Sequence, residues 1–254
     1  MRFLLYSLIM TSGVAFATPA HFPAKIIKEV EAKYLEKYKD LPDRQKIEKY
    51  IVAISELSEL RDYQSAIVLA ESAYKLKNKP LTFYGIYLDL LKATGDKNRH
   101  NEVFEDVFKQ NYKFHDEEEK ELIADIILNY LLFNFMLPHQ LPTKIENIFN
   151  IVQTDYIKER SLHVRAIVLA KNKKFKEALG LLKVKDTSGL EELLFISYLQ
   201  RMSGAKLTVI TPLLAQIYPT AVNIIKNEPQ ELINEKLKQS KDILTDSHLF
   251  EVLK

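Results

Sequence analysis

The 254-residue sequence contains no cysteine, no tryptophan and only six glycines. Without cysteine, the chain cannot form disulfides, bind a metal through thiolates, use a cysteine nucleophile or carry an acylated cysteine anchor. Its 36 basic and 34 acidic residues leave a formal charge of +2, which gives no electrostatic reason to expect a nucleic-acid partner. Hydrophobic residues make up 47% of the chain and charged residues 28%, a balance typical of a folded globular protein.

The few glycines also exclude the common phosphate-binding and nucleophile motifs. Beyond the signal-like start of the chain, the two closest glycines are Gly180 and Gly189, nine positions apart. Dinucleotide-binding loops, P-loops and the GxSxG nucleophile elbow all require closer glycines. No HExxH motif occurs, and no two histidines lie within fourteen positions of each other. The sequence therefore predicts neither a cofactor nor a metal site.

The segment 1–17, MRFLLYSLIMTSGVAFA, has the features of a secretory signal peptide. Arg2 supplies the positive charge, an apolar stretch runs from Phe3 to Met10, and Ala15 and Ala17 are the small residues that a signal peptidase reads. We predict cleavage after Ala17. The mature chain is then periplasmic or secreted, and it lacks the lipobox cysteine of a lipoprotein. The richness in lysine, isoleucine and asparagine favours a bacterial periplasm.

Apolar residues recur at the helical spacing i, i+3, i+4 and i+7 along most of the chain. No Asn-Gly or Asp-Gly pair occurs, and no long alternation of polar and apolar residues indicates a β-sheet. Prolines and glycines separate the periodic segments, as they do at helix ends. We therefore predict an all-α fold. The predicted helices span residues 24–39, 43–60, 62–77, 81–94, 99–112, 117–136, 143–152, 156–171, 174–184, 190–203, 206–217, 220–226, 229–239 and 242–253.

The longest apolar stretch after the signal runs from Ile126 to Leu137. It is short for a membrane span and is interrupted by Asn129 and Asn134. A membrane-spanning helix needs about 20 apolar residues. We therefore expect a helix inside the protein core and no stable insertion into a membrane.

Two segments place an aromatic residue three positions before an alanine: Tyr63 before Ala66, and Phe175 before Ala178. This pattern resembles the second helix of a tetratricopeptide repeat, in which the aromatic residue packs at the turn and the alanine lets two helices approach closely. Gly85 resembles the small residue of a first helix in the same family.

The resemblance covers residues 43–112 and 156–185. The interval from Ala66 to Ala178 is longer by ten than three periods of about 34 residues, so we expect loop insertions or divergent repeats. The resemblance implies a tetratricopeptide-like right-handed α-solenoid of antiparallel helix hairpins over residues 18–186, with a helical C-terminal cap or small bundle over residues 187–254. A non-repetitive helical bundle is the alternative.

In the tetratricopeptide family, the first helix of each pair supplies the binding surface. The positions that match it here are Glu48, Ser55, Glu59, Thr82, Ile86, Asp89, Arg160, His163 and Lys171. The resemblance thus implies a non-enzymatic exported module or scaffold that binds a peptide or a partner protein in the cell envelope. The alternatives are a peptidoglycan-acting enzyme, with carboxylates assembled from distant helices, and an immunity protein that neutralises an exported toxin.

Two polar groups have structural rather than chemical explanations. In the run His115–Glu119, we expect Asp116 to cap a helix whose first turn carries three glutamates, in preference to a divalent-cation site. Glu159 and His163 lie one helical turn apart, and we expect them on a polar helix face rather than at a metal. The aromatic residues recur at helical spacing and are expected in the core.

Overall fold

The structure of the protein is a computed structural model. It describes residues 23–109, 116–182, 184, 188–244 and 247–253. These residues form fourteen α-helices and no β-strand, which confirms the predicted all-α class. The helices are α1 (Ala24–Val30), α2 (Asp43–Glu59), α3 (Tyr63–Tyr74), α4 (Leu81–Thr94), α5 (Lys97–Lys109), α6 (Glu117–Asn134), α7 (Thr143–Ile151), α8 (Asp155–Lys171), α9 (Phe175–Leu181), α10 (Leu190–Ser203), α11 (Pro212–Ile217), α12 (Pro219–Asn227), α13 (Gln230–Lys238) and α14 (His248–Leu253). The predicted signal peptide and His115 lie outside the described residues.

The chain beyond α1 continues as a π-helical turn, Glu31–Leu35, and a 3₁₀ turn, Glu36–Tyr38. The three pieces together occupy the first predicted helix. Tyr34, in the π-helical turn, is buried, and the Tyr38 ring contacts the Tyr50 ring of α2 edge-on at 6.2 Å between centroids. This aromatic packing fixes the start of the described chain against α2.

Polar side chains cap many of the helix starts. In each case a side-chain oxygen accepts a hydrogen bond from the backbone N–H three positions further on, which satisfies a donor that the first turn leaves unpaired. The capping residues are Asp62, Asp96, Asp116, Thr154 and Thr211. The prediction for Asp116 is confirmed, because it caps α6, whose first turn carries three glutamates.

Five helices, α2, α4, α6, α8 and α10, end in the same turn. A residue just beyond each helix has a positive φ of 51–75°, and the N–H of the next residue donates to the carbonyl five positions earlier, at 2.8–3.1 Å. This pattern is the Schellman motif, which satisfies carbonyls left unpaired at a helix end. The left-handed residues are Arg61, Gly95, Phe135, Lys173 and Gly204.

These five left-handed positions mark the ends of alternate helices, at sequence intervals of 34, 40, 38 and 31. After three of these turns, the next helix packs back on the one before it, giving the pairs α2 and α3, α4 and α5, and α8 and α9. The interval from Arg61 to Lys173 is the same as the interval from Ala66 to Ala178. The interval from Ala66 to Ala178 exceeds three repeat periods by ten residues. These ten residues lie in the two middle intervals between turns, which are six and four residues longer than the first interval.

The described chain forms two compact units, and the division falls within α6, between Tyr130 and Leu131. We call residues 23–130 the N-terminal unit. In it, α2 packs against α3 and α4, α3 also packs against α1 and α4, and α4 packs against α5. Its core holds the fully buried rings of Tyr84 and Tyr87, among others.

In the N-terminal unit, α6 approaches α4 at Gly85, where an added Cβ would make an ordinary van der Waals contact with α6. A Cβ on Gly85 would lie 3.4 Å from Leu122 Cδ1 of α6. The ring of Tyr130, at the end of the α6 segment in this unit, stacks on Phe104 of α5 at 3.6 Å between centroids. Of the stretch Ile126–Leu137, which we predicted to lie inside the core, Ile126, Ile127, Leu128 and Leu131 are buried, whereas the residues from 132 to 137 are half-buried. No helix in the described part of the chain has the length and apolar character needed to cross a membrane.

We call residues 131–253 the C-terminal unit. In it, α8 packs against α9 and α14, and α10 packs against α9, α12 and α14. Ala166 of α8 and Ala178 of α9 are fully buried, so neither side chain holds these two helices apart. Tyr198 of α10 is also fully buried, and its hydroxyl donates to Asn234 Oδ1 of α13 at 2.9 Å.

Two predicted helix starts are wrong. The helix predicted over residues 206–217 begins only at Pro212, because Gln200 of α10 holds the preceding segment by two hydrogen bonds. Its Nε2 donates to Thr208 Oγ1 at 2.7 Å, and its Oε1 accepts from the Thr208 N–H at 3.0 Å. The helix predicted over residues 242–253 begins only at His248.

Where a glycine occupies the left-handed position of a turn, we expect the stability of the protein to depend on that glycine. Gly95 has φ +75° and open space around its Cβ position, so Gly95→Ala adds backbone strain without a clash. We expect this change to lower the free energy of unfolding by about 1 kcal/mol. Gly180→Ala in α9, which also has open space but no positive φ, is the control and is expected to leave stability unchanged or raise it by up to about 1 kcal/mol. Urea unfolding followed by circular dichroism measures the free energy of unfolding of both variants. Equal losses of stability in the two variants would contradict backbone strain at position 95.

Candidate protein-binding surfaces

The predicted binding residues on α2 lie along one exposed side of that helix. Glu48 and Glu59 are exposed, and Ser55 is half-buried. Val52, which no sequence pattern marks as a binding residue, lies on the same side and is 55% exposed. We call Glu48, Val52, Ser55 and Glu59 the α2 stripe. Glu48 lies 3.5 Å from the Nε of Arg44, but both side chains are exposed, and such a pair contributes little to stability.

The predicted binding residues on α4 are less accessible. Thr82 is exposed, whereas Ile86 and Asp89 are half-buried. Asp89 Oδ1 accepts a hydrogen bond from Asn129 Nδ2 of α6 at 3.4 Å, so this carboxylate already has a partner within the unit. Because α2 packs against α4, the structure brings the two predicted groups onto neighbouring helices.

The three predicted residues of the C-terminal unit lie on α8, where α14 of the same chain packs. The Lys171 ammonium donates to the carbonyl of Val252 in α14 at 3.2 Å and lies 4.9 Å from the centroid of the Phe135 ring. The ring of His163 is stacked against His248 of α14. Arg160 is half-buried on the same helix. The chain's own C-terminal helix therefore contacts the α8 face that the resemblance assigns to a partner.

His163 is held from three sides. Its Nδ1 lies 3.1 Å from the carbonyl oxygen of Glu159, its Nε2 lies 3.1 Å from Glu192 Oε1 of α10, and its ring centroid lies 4.7 Å from that of His248. The His163 and Glu192 side chains are only 15% and 18% exposed. The side-chain partner of His163 is thus Glu192 rather than the neighbouring Glu159 carboxylate.

His248 differs from His163 in its hydrogen bonding. Its Nδ1 is buried and makes no hydrogen bond to any of the described residues. Burial, followed by the charge of His163, lowers the pKa of His248 to about 4, and Glu192 opposes the shift. Within the described residues, no three histidine, aspartate or glutamate side chains are grouped closely enough to hold a metal ion.

The N-terminal unit contains a cavity of about 470 Å³ that no sequence pattern predicts. Its lining combines apolar side chains from α1, the π-helical turn and α3 with charged side chains from the same region and α5. The lining residues are Ile27, Glu31, Leu35, Val68, Glu71, Ser72, Lys75 and Arg99. A cavity of this size is within the range of small-ligand sites.

Two of the lining residues, Glu71 of α3 and Arg99 of α5, form an ion pair. Arg99 Nε and Nη2 donate to the two oxygens of Glu71, each at 2.8 Å, and the hydroxyl of Tyr87 of α4 also donates to Glu71 Oε1. The guanidinium lies 4.7 Å from the ring centroid of Tyr74. A two-pronged pair of this kind is among the stronger charged contacts in proteins. It joins three helices, and burial together with Glu71 raises the pKa of Tyr87.

No protein family matches the chain, and no curated protein or solved structure is significantly similar to it.

Breaking the Glu71–Arg99 pair is expected to destabilise the N-terminal unit. Glu71→Ala leaves a guanidinium that is only 23% exposed without its main partner. We expect the free energy of unfolding to fall by about 2–4 kcal/mol, less than for fully buried pairs because water still reaches both groups. Glu48→Ala, which breaks the exposed pair with Arg44, is the control and should change stability by less than about 1 kcal/mol. Urea unfolding measures the free energy of unfolding of both variants. A loss for Glu71→Ala as small as the loss for Glu48→Ala would contradict a stabilising role for the Glu71–Arg99 pair.

Proposed function

We propose that the protein is a non-enzymatic protein-binding module or scaffold, exported to the bacterial periplasm, that binds a peptide or a partner protein on the exposed sides of α2 and α4. The observation that carries this proposal is the recurrence of one Schellman turn after alternate helices. Helix pairs joined by a recurring turn are the units of helical repeat proteins, whose function is to present an extended binding surface.

The spacing of the turns supports a tetratricopeptide-like arrangement. The interval from Arg61 to Gly95 equals one tetratricopeptide period, which is about 34 residues. With this register, α2 and α4 are the first helices of two pairs, and α3 and α5 are the second helices. Ala66 and Gly85 are both buried, as the family's small residues are expected to be. The right-handed α-solenoid with a helical C-terminal cap is the fold that we propose on this basis.

The charge of the α2 stripe indicates the chemistry of the partner. Glu48 and Glu59 lie on either side of the exposed Val52. None of the six predicted residues in this unit is basic. A segment that presents lysine or arginine beside an apolar side chain would therefore complement the surface, as in the binding of amphipathic helices to grooves.

Charge reversal on the α2 stripe is expected to weaken binding of a basic peptide. The probe is a pair of fluorescent amphipathic peptides with the same apolar positions, one with lysine and one with glutamate at the polar positions. Fluorescence anisotropy should show a preference of the protein for the lysine peptide, and Glu48→Lys with Glu59→Lys should raise its Kd by about tenfold or more. No preference for the lysine peptide would contradict the proposed partner chemistry.

The matched control for this experiment is Glu231→Lys with Glu235→Lys on α13. Both glutamates are exposed, and the double change gives the same net charge in the C-terminal unit. We expect it to leave the Kd within about twofold of the original value. Equal weakening by the two double variants would show that the peptide senses only net charge, and it would reject the α2 stripe as the binding surface.

Export is tested by the N-terminus of the mature protein. When the full sequence is expressed in a bacterium, we expect a periplasmic chain that begins at Thr18, identified by intact mass. Ala17→Arg should block cleavage, because signal peptidase requires a small residue there, whereas Ala20→Arg, beyond the cut, should not. An unprocessed cytoplasmic chain with the original sequence would contradict export.

A further inference from the structure

Two kinds of contact hold α14 on the C-terminal unit. The first kind is independent of pH: Leu249, Val252 and Leu253 are buried in the core of the unit, and Lys171 donates to the Val252 carbonyl near the end of the helix. Apolar burial of this kind stabilises the docked helix at any pH. A helix of only six residues is not stable alone in water, so its order depends on these contacts.

The second kind of contact is the stack of two histidine rings. His248, the first residue of α14, packs on His163 of α8 with an angle of 23° between the ring planes. A third ring, Phe195 of α10, packs edge-on against His248 with 5.9 Å between the ring centroids. Two imidazoles at this distance pack well while at least one is neutral, and they repel each other when both carry a charge.

We propose that α14 is a pH-sensitive cover of α8: in mild acid, protonation of His248, which is stacked on His163, releases residues 248–253 and uncovers the α8 face that carries Arg160 and Lys171.

The charged groups around His248 determine the direction of this effect. From α8, His163 and Arg160 disfavour a second positive charge, whereas Glu192 of α10 and Glu251 of α14 itself favour it. Burial adds the largest penalty, and the net result is a pKa of His248 well below that of a solvated histidine. The docked helix therefore binds a proton less readily than the released helix.

The linkage between protonation and docking follows from this difference. A released His248 has a pKa near 6.5, and the docked residue has a pKa of about 4. Docking is therefore unaffected above pH 6.5 and weakens as the pH falls from 6.5 towards 4, where the released state takes up the proton. Between pH 7 and pH 5, the ratio of docked to released helix should fall by about twentyfold.

The release itself does not rest on the proposed function. Only the use of the uncovered α8 face by a partner does, and the peptide experiment on the α2 stripe tests that function separately. The two proposals can therefore fail independently.

Hydrogen exchange of the full chain at pH 7 and pH 5, corrected for intrinsic exchange rates, measures the release. We expect protection of the amides in α14 to fall by about twentyfold at pH 5, while α12 keeps its protection. His248→Phe preserves an aromatic ring that does not titrate, and it should abolish the pH dependence. His139→Phe replaces a more accessible histidine of the same unit and should leave the pH dependence intact.

Equal protection of α14 at the two pH values in the original protein would overturn the proposal. Unchanged pH dependence in a folded His248→Phe variant would also overturn it. If that variant does not fold, as judged by circular dichroism, NMR titration of the His248 ring in the original protein decides. Protonation of the His248 ring between pH 6.5 and pH 4 together with loss of the docked signals of α14 supports the cover, and protonation of the ring while α14 stays docked contradicts it.

Discussion

The close approach of neighbouring helices at buried alanines is the constraint on which the rest of this structure depends. The alanines of α3, α8 and α9 have essentially no exposed surface, and larger side chains there would hold the helix axes apart. These residues are Ala66, Ala70, Ala73, Ala166, Ala170 and Ala178. The Schellman turns after α2 and α8 return the chain so that the following helix packs at these alanines. Together, the small side chains and the turns determine which helix sides remain exposed, including the α2 stripe.

The helices could be predicted from the sequence because their signals are local. Apolar spacing together with prolines and glycines located most of them to within a few positions. The repeated turn could not be predicted in the same way, since three of its five left-handed positions hold Arg61, Phe135 and Lys173 rather than glycine. An arginine or lysine in the left-handed conformation destabilises the folded chain by about 1 kcal/mol. Nothing in the sequence distinguishes such a residue from one in a helix. The irregular intervals between the turns further conceal their recurrence. The late start of α11 could not be predicted either. Gln200 makes two side-chain hydrogen bonds to Thr208, and the segment before Pro212 is therefore not helical although its apolar spacing predicts a helix.

The candidate surfaces were only partly predictable, for a related reason. Their positions on α2, α4 and α8 follow from the resemblance, but their environments depend on contacts between distant segments. Nothing near Lys171 or His163 in the sequence indicates that α14, at the far end of the unit's chain, contacts them. The Glu71–Arg99 pair likewise joins residues 28 positions apart on different helices. Each of the two charges looks like an ordinary surface residue in its own segment. Long-range pairing of this kind is invisible to periodicity, although it decides which faces are covered and which charges are buried.

The burial of tyrosine in a chain without tryptophan gives the protein an optical property of its own. Tyr87 is buried in the N-terminal unit and Tyr198 in the C-terminal unit, and burial raises the pKa of both phenols. In alkaline solution, these two rings therefore stay protonated while their units are folded, although solvated tyrosines have already ionised. The red-shifted ultraviolet absorbance of tyrosinate appears for each buried ring only when its surroundings open. Natural residues thus serve as spectroscopic labels in both units, without any introduced chromophore.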